Sequence, residues 1–202
     1  MKNVVCILFT VIAIVACGND DGGTIFPADC GLMTGDVVFR RGGGLSSHAV
    51  LFADAGGQYS HVGIVVDSAG TKMIVHAVPY EQECEGEPDR VKMETPETFF
   101  NRMRATVGEV KRYRGDASVA ERAAARALEI YRRGTLFDHD YDDADTTRMY
   151  CCELVRHVFA AEGVSLADTG RHEIKLPGMK MIRCMLPSDI CDSGRLRTIK
   201  SF

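Results

Sequence analysis

The spacing of apolar side chains changes along the chain, and each spacing predicts a type of element. From position 151 onward the apolar residues recur at helical spacing, at 151, 154, 155, 158 and 159, and Gly163 follows where a left-handed helix stop is expected. This pattern predicts a helix that begins at Cys151. A capping box at 118–121 followed by an apolar stripe predicts a second helix that ends at Gly134, and 46–53 is typical of a short third one.

Runs rich in β-branched residues predict strands at 35–39, 61–66, 71–78, 107–113 and 196–199. The second and third runs are joined by 67–70 and predict a β-hairpin. Pairing that is symmetric about this four-residue turn places His61 directly opposite His76. Facing residues project from the same side of a sheet with Cβ atoms about 5 Å apart. We therefore expect two adjacent imidazoles, and a register slip of one residue would separate them.

Two polar segments predict loops. Residues 79–96 are acidic and include Cys84, which indicates a solvated loop or a lid. Residues 134–145 contain His139 and several aspartates, but their spacing lacks the glycine and the glutamate that an EF-hand loop requires. No metal site is predicted in either segment.

The first residues have the pattern of an export signal. Lys2 precedes an apolar run at 4–15, which is too short to cross a bilayer as a helix. Residues 14–17 resemble the lipobox of bacterial lipoproteins, in which the cysteine is acylated. We expect a signal peptide at 1–16, a lipidated tether at 17–30 that begins with Cys17, and one domain at 31–202; an ordinary signal peptide with a chance cysteine is the alternative.

Charge and cysteine content narrow the choice of function. The net charge is -4 and the basic residues are scattered, which argues against a nucleic-acid partner. An exported chain enters an oxidising compartment. If Cys151 and Cys152 are free, the other mature-domain cysteines allow three pairings, among Cys30, Cys84, Cys184 and Cys191.

The adjacent cysteines at the helix start are candidates for a nucleophile. Unpaired backbone N–H groups and the positive end of the helix dipole favour a thiolate at that position. The alternative is that both cysteines are small buried hydrophobic residues. Helix geometry separates their side chains by about 100°, so only one can face the hairpin.

The ordered motifs resemble one enzyme family. Gly35 to Phe39, Tyr59-Ser60-His61-Val62-Gly63-Ile64, 134–142, Tyr150-Cys151-Cys152-Glu153-Leu154-Val155 and Leu186-Pro187-Ser188-Asp189 are similar in type and order to the YiiX/YebB-like branch of the NlpC/P60 superfamily. These are circularly permuted papain-like cysteine enzymes. The resemblance covers nearly all of residues 31–200. It implies an α+β fold in which a small antiparallel sheet packs against helices and the nucleophile begins a helix.

The resemblance also assigns roles. It implies Cys151 as nucleophile, with Cys152 in the place of the family's serine, and His61 as base. Acyltransferases similar to lecithin:retinol acyltransferase carry a second histidine one strand later, which supports His76 as the residue that orients His61, although other superfamily members place a different polar residue there. No cofactor and no metal are implied.

The expected function is a cysteine amidase or peptidase that cleaves an amide or ester through a thiol-acyl intermediate. The lipid anchor would hold it in the bacterial cell envelope, on the periplasmic side or the outer-membrane surface, near peptidoglycan peptides and lipids. Alternatives are an acyltransferase, an inactive binding module of the same fold, and a zinc site made by the same cysteine and histidines. The dispersed ligands argue against zinc.

Overall fold

The structure is a computed structural model that describes residues 22–81, 86–141, 145–167, 172–174 and 182–202. The predicted signal peptide, Cys17 and Cys84 lie outside these residues. The strands are β1 (Val37–Arg41), β2 (His61–Ser68), β3 (Thr71–Ala77), β4 (Val91–Glu94), β5 (Val107–Tyr113), β6 (Leu136–Phe137), β7 (Arg148–Met149), β8 (His172–Ile174), β9 (Ile182–Cys184) and β10 (Leu196–Ser201). The helices are α1 (Leu45–Ala53), α2 (Pro96–Phe99), α3 (Ala117–Arg132), α4 (Cys151–Ala160) and α5 (Pro187–Cys191).

One antiparallel sheet of six strands organises the fold. Its order is β10-β5-β1-β2-β3-β4, and two short ribbons, β6–β7 and β8–β9, lie outside it. The predicted α+β class with an antiparallel sheet packed against helices is therefore confirmed. None of the helices in the described ranges is both long and apolar enough to cross a membrane.

Apolar residues on the two sheet faces form two cores. On one face, alternate residues of β1 and β2, among them Val62 and Ile64, pack with the alanine-rich side of α3 and with Leu154 of α4. On the other face, Val65 and Ile74 pack with α2 and the residues after it. The first face is covered by α3 and α4, which present apolar stripes at helical spacing, as the sequence predicts.

Helix α4 begins at Cys151 and its last turn leads to Gly163, which has a φ of 77°. Both features agree with the prediction, because glycine adopts the left-handed conformation without a Cβ penalty. Helix α3 begins earlier than predicted. Its N-cap is Asp116, whose carboxylate accepts a hydrogen bond from the Ser118 N–H, so the side chain that caps α3 comes before the predicted capping box.

The β2–β3 hairpin has a shorter turn than predicted. Ser68 pairs with Thr71, so the turn is Ala69-Gly70, and both turn residues have positive φ. This geometry matches the right-handed twist of the strands better than a four-residue turn. The register consequently moves by two residues, and His76 lies opposite Gly63 instead of His61. Because the shift is even, both histidines still project from the same face.

Gly63 makes room for the second histidine. A Cβ at this position would lie 2.8 Å from Ile74 Cγ2 and 3.2 Å from the Cβ of His76, its cross-strand neighbour. Atoms at such distances would have to move. Glycine therefore allows β2 and β3 to keep their register while His76 occupies the space above the pair.

Candidate active site

Three of the predicted site residues meet at one end of the sheet. His61 is the first residue of β2, His76 lies near the end of β3, and Cys151 opens α4. Antiparallel pairing brings the start of β2 beside the end of β3. The fourth predicted residue is Cys17, the predicted site of acylation, and it lies outside the described residues.

The two imidazoles are in direct contact. His61 Nε2 lies 2.9 Å from His76 Nδ1, and the rings meet edge to face with centroids 5.1 Å apart. Both side chains are buried. The predicted adjacency is thus present in the structure, but the contact is diagonal across the hairpin and not between facing residues.

The carboxylate of Glu94, which the sequence did not indicate, extends the series of contacts that runs from Cys151 through His61 to His76. His76 Nε2 lies 3.2 Å from Glu94 Oε2, and neither atom has another polar partner among the described residues. We assign the proton of neutral His76 to Nε2, beside this carboxylate, and this assignment makes His76 Nδ1 an acceptor for the N–H of His61 Nε2. Nδ1 of His61 is then left with a lone pair for the thiol of Cys151. This order of contacts fixes both tautomers without any charge on either ring.

Glu94 is held as an anion by two cations in addition to His76. Its Oε1 accepts hydrogen bonds from Lys92 Nζ at 2.8 Å and from Arg104 Nη1 at 3.0 Å. Burial would raise the pKa of Glu94, but His76 and Lys92 outweigh burial and hold this pKa below its usual value. A buried carboxylate with these partners remains charged at neutral pH.

The thiol of Cys151 is activated by its neighbours. The Cys152 thiol, with its sulfur 3.9 Å away, lowers the pKa of Cys151 most, and His61 and the backbone N–H of Val62 act in the same direction against burial. The pKa of Cys151 therefore falls well below that of an ordinary thiol. Burial raises the pKa of Cys152 well above its usual value, and Cys151 adds to this effect. The two adjacent thiols are thus strongly unequal.

The environment of His61 is apolar on one side. Its ring packs against Phe99 at 5.7 Å, and burial lowers its pKa to about 4, while a hydrogen bond with Cys151 opposes this change. Arg40, which pairs with His61 across β1 and β2, also disfavours the imidazolium. The neutral imidazole is therefore the resting form of His61, which can accept a proton, and the cationic form requires the Cys151 thiolate beside it.

Arg40 is itself buried in a polar network. It forms an ion pair with Glu81 at 2.7 Å, donates to the Phe99 carbonyl at 2.8 Å and lies 4.7 Å from the centre of the Phe99 ring. Glu81 thus binds Arg40 and not a histidine. Of the two carboxylates, only Glu94 is in contact with the imidazole pair.

Tyr141 is a further neighbour that the sequence did not single out. Its backbone has a φ of 56°, and its ring lies 5.2 Å from that of Tyr150, the N-cap of α4. Burial raises the pKa of Tyr141, and the charge of Cys151 acts in the same direction. The phenol therefore remains a neutral donor near the sulfur.

The described cysteines are not joined to one another by disulfides. No disulfide joins any two of Cys30, Cys151, Cys152, Cys184 and Cys191. The pairings that involve Cys84 lie outside the described residues. Within the described ranges, no group of three or more His, Cys, Asp or Glu side chains is arranged to hold a metal ion.

A thiolate at a helix start, a histidine on an adjacent strand and a second polar group behind it form the arrangement of papain-like cysteine enzymes. The fold is similar to that of a solved structure, metalloprotein yiiX from Escherichia coli O157:H7. The two superimpose with a TM-score of 0.66 and share 17% sequence identity. The match covers 84% of this chain and 97% of that chain. A search among curated proteins finds no match.

The profile of the permuted papain-like amidase enzymes of the YaeF/YiiX, C92 family matches residues 31–200. The chain therefore belongs to this family of amidase enzymes. The match confirms the YiiX-like, permuted papain-like part of the predicted resemblance and the prediction of an amidase-type hydrolase.

We predict that the two histidines differ in their effect on turnover. His61→Ala removes the base and lowers kcat/KM by roughly 10² to 10⁴. His76→Asn costs about tenfold, because the amide oxygen can still accept the hydrogen bond from His61 Nε2. Steady-state kinetics of both variants, with circular dichroism as a control for folding, tests this difference. Equal losses in the two variants would contradict the positioning role of His76.

Proposed function

We propose that this protein is a lipid-anchored cysteine amidase or peptidase of the bacterial cell envelope. Cys151 is the nucleophile, His61 the general base and acid, and His76 the group that positions His61. The observation that carries the proposal is the continuous series of contacts from Cys151 through His61 and His76 to Glu94. A buried thiol with no catalytic role would not need such a series.

The first half of the reaction forms a thioester. His61 takes the Cys151 proton at Nδ1, and the thiolate attacks the carbonyl carbon of an amide or ester while the π electrons move to oxygen. The backbone N–H groups at the start of α4 are positioned to stabilise this oxyanion. The imidazolium then gives its proton to the leaving amine or alcohol, and the C–N or C–O bond breaks.

The second half releases the acyl group. His61 takes a proton from water, the resulting nucleophile attacks the thioester carbonyl, and the carboxylic acid leaves as the C–S bond breaks. During both proton transfers the negative charge of Glu94 acts through His76 to stabilise the imidazolium. If an alcohol or amine replaces water, the same site is an acyltransferase.

The substrate that we propose is an amide or ester of the envelope, either a peptidoglycan peptide or a lipid amide. The support for this location is the export pattern at 1–16 and the lipobox-like residues that end at Cys17.

Incubation of the protein with a mixed envelope extract, followed by mass spectrometry, tests the proposal. We expect products with wild type that are absent with Cys151→Ser. Identical product profiles would favour a binding module of the same fold, and stoichiometric zinc in the purified protein would favour the metal alternative.

Acylation of Cys17 has its own test. We predict that wild type grown with an alkyne fatty acid carries the label, whereas Cys17→Ala does not, because only the Cys17 thiol is placed after a lipobox-like sequence. Intact-mass measurement of the mature chain should show a start at residue 17 with added acyl mass. An unmodified mature chain would contradict the lipoprotein assignment.

A further inference from the structure

Helix α1 exposes two large apolar side chains to solvent. Leu45 and Phe52 are 90% and 80% exposed, and they lie seven residues apart, which is two helical turns. Ala49 lies between them on the same exposed side. No residue of α1 is fully buried; its half-buried side carries Ser47, Val50, Leu51 and Ala53, and its exposed side also carries Ser46 and His48. An apolar stripe that faces outward on a soluble domain marks a surface for another apolar phase.

This stripe lies at the active-site end of the molecule. α1 follows β1 and leads back to His61, and the Gly42 N–H donates to Ser60 Oγ just before the histidine. Glycines border the helix at 42–44 and at 56–57. The segment that leads into α1 therefore lies beside the start of β2, where His61 is, and the helix is not on a remote surface.

The start of the described chain lies at the same end. Gly22 lies against Met103, which is 82% exposed, and the Gly23 carbonyl accepts a hydrogen bond from Arg102 N. Arg102 and Met103 belong to a turn that leads to Thr106, and the Thr106 N–H donates a hydrogen bond to the Arg41 carbonyl. Because Arg41 ends β1 beside the start of β2, the chain leaves the domain next to α1.

Chain length then limits where a lipid on Cys17 can be. Five residue steps separate Cys17 from Gly22 and span at most about 17 Å when fully extended. The seven residue steps of β2 alone extend over about 23 Å. Cys17 itself therefore cannot reach the far end of the sheet, where the β2–β3 turn lies.

We propose that the α1 stripe, Leu45, Ala49 and Phe52, together with Met103, is the surface by which the domain docks on the lipid bilayer that holds its anchor. The active site then opens toward the membrane surface. This inference rests on the proposed acylation of Cys17. A short tether with a second apolar contact is the two-signal arrangement that gives stable membrane association.

The absence of tryptophan from the chain allows a direct test. Phe52→Trp places one fluorophore on the stripe, and Thr71→Trp places one at the far end of the hairpin as a matched control. Each full chain, purified from membranes with its acyl group verified by mass, is reconstituted in vesicles of phosphatidylethanolamine with some phosphatidylglycerol. Brominated lipids are then used as quenchers. We expect quenching at position 52 to exceed quenching at position 71 several-fold.

A second variant examines the stripe itself. Leu45→Ser in the Phe52→Trp background should lower the quenching at position 52, while labelling of Cys151 by a soluble thiol probe stays unchanged, because position 45 is outside the catalytic machinery. Equal quenching at positions 52 and 71 would overturn the proposal. A blue shift at position 52 that follows protein concentration without lipid would overturn it in favour of self-association, and an unacylated Cys17 would overturn its tether argument.

The readouts separate the docking proposal from the proposed enzymatic activity. Loss of turnover in Cys151→Ser with unchanged quenching at position 52 is expected if both proposals hold. Lack of any turnover in wild type with strong quenching would remove the proposed activity and retain the docking surface.

Discussion

Cys151→Ser abolishes both turnover and rapid labelling by an electrophilic thiol probe, whereas Cys152→Ser leaves both within a few-fold of wild type. We expect the loss in Cys151→Ser to be at least about 10³-fold, because a serine in this place lacks the lowered pKa that makes the thiolate available. Cys152 is buried, and burial keeps its own pKa high. Probe labelling and kcat/KM measured on the same preparations provide the test. An active Cys151→Ser together with an inactive Cys152→Ser would show that the nucleophile is Cys152.

The two thiols also predict a pH effect. The pKa of Cys151 is lowered in the folded protein, most of all by Cys152. The thiolate therefore persists below the pH at which an ordinary thiol takes up its proton. Labelling slows only as the pH falls through the lowered pKa. Cys152→Ser retains a hydrogen-bond donor, whereas Cys152→Ala removes it. The acid limb of the labelling profile should therefore move to higher pH in Cys152→Ala and stay in place in Cys152→Ser. Superimposable profiles for all three proteins would show that the contact between the thiols does not affect reactivity.

Glu94→Gln is expected to reduce both stability and activity. The change leaves the buried Lys92 without its carboxylate partner, which costs about 3 kcal/mol of unfolding free energy, whereas Arg104 is partly exposed and keeps its ion pair with Glu81. It also removes the negative charge that stabilises the imidazolium form of the histidine pair. We expect kcat/KM to fall at least about tenfold, a pKa effect of one unit or more. Urea unfolding and steady-state kinetics measure the two effects.

Glu97→Gln is the matched control for Glu94→Gln. Glu97 is an exposed glutamate three residues further along the chain, and its substitution should change the unfolding free energy by less than about 0.5 kcal/mol. The pH profile distinguishes positioning from packing. A positioning role moves the acid limb of kcat/KM to lower pH in Glu94→Gln, because the imidazolium form of the histidine pair loses the negative charge beside it and forms only at lower pH. A purely structural role would lower the rate equally at every pH.

The sequence predicts the parts of the site that depend on local patterns. Helix α4 begins at the predicted residue because apolar spacing and Gly163 mark both of its ends. The histidine pair is predicted with a wrong turn, yet the two rings still meet, since a shift of two residues preserves the face of every side chain. The length of the turn is predicted wrongly because the residue type of Ala69 gives no sign of its positive φ.

Glu94 was missed for a different reason. The segment 79–96 has the composition of a solvated acidic loop, and β4 is only four residues long. What makes it a strand is pairing with β3, and what buries its last residue is the ion pair with Lys92 and the contact with His76. These are contacts between elements, so no local signal in the sequence distinguishes Glu94 from its exposed neighbours.

The position of Glu94 on the last strand of the sheet has a consequence for heat resistance. β4 is four residues long and its ladder pairs on one side only, with β3; on its other side Val91 makes a single backbone hydrogen bond to Thr135. Edge strands of this kind open locally at a lower free energy than the central strands do. When β4 frays, Glu94 moves away from His76 and Val91 leaves its core, while the remainder of both apolar cores stays packed. We therefore expect activity to be lost on heating at a temperature below that at which the whole molecule melts, because the edge of the sheet opens first.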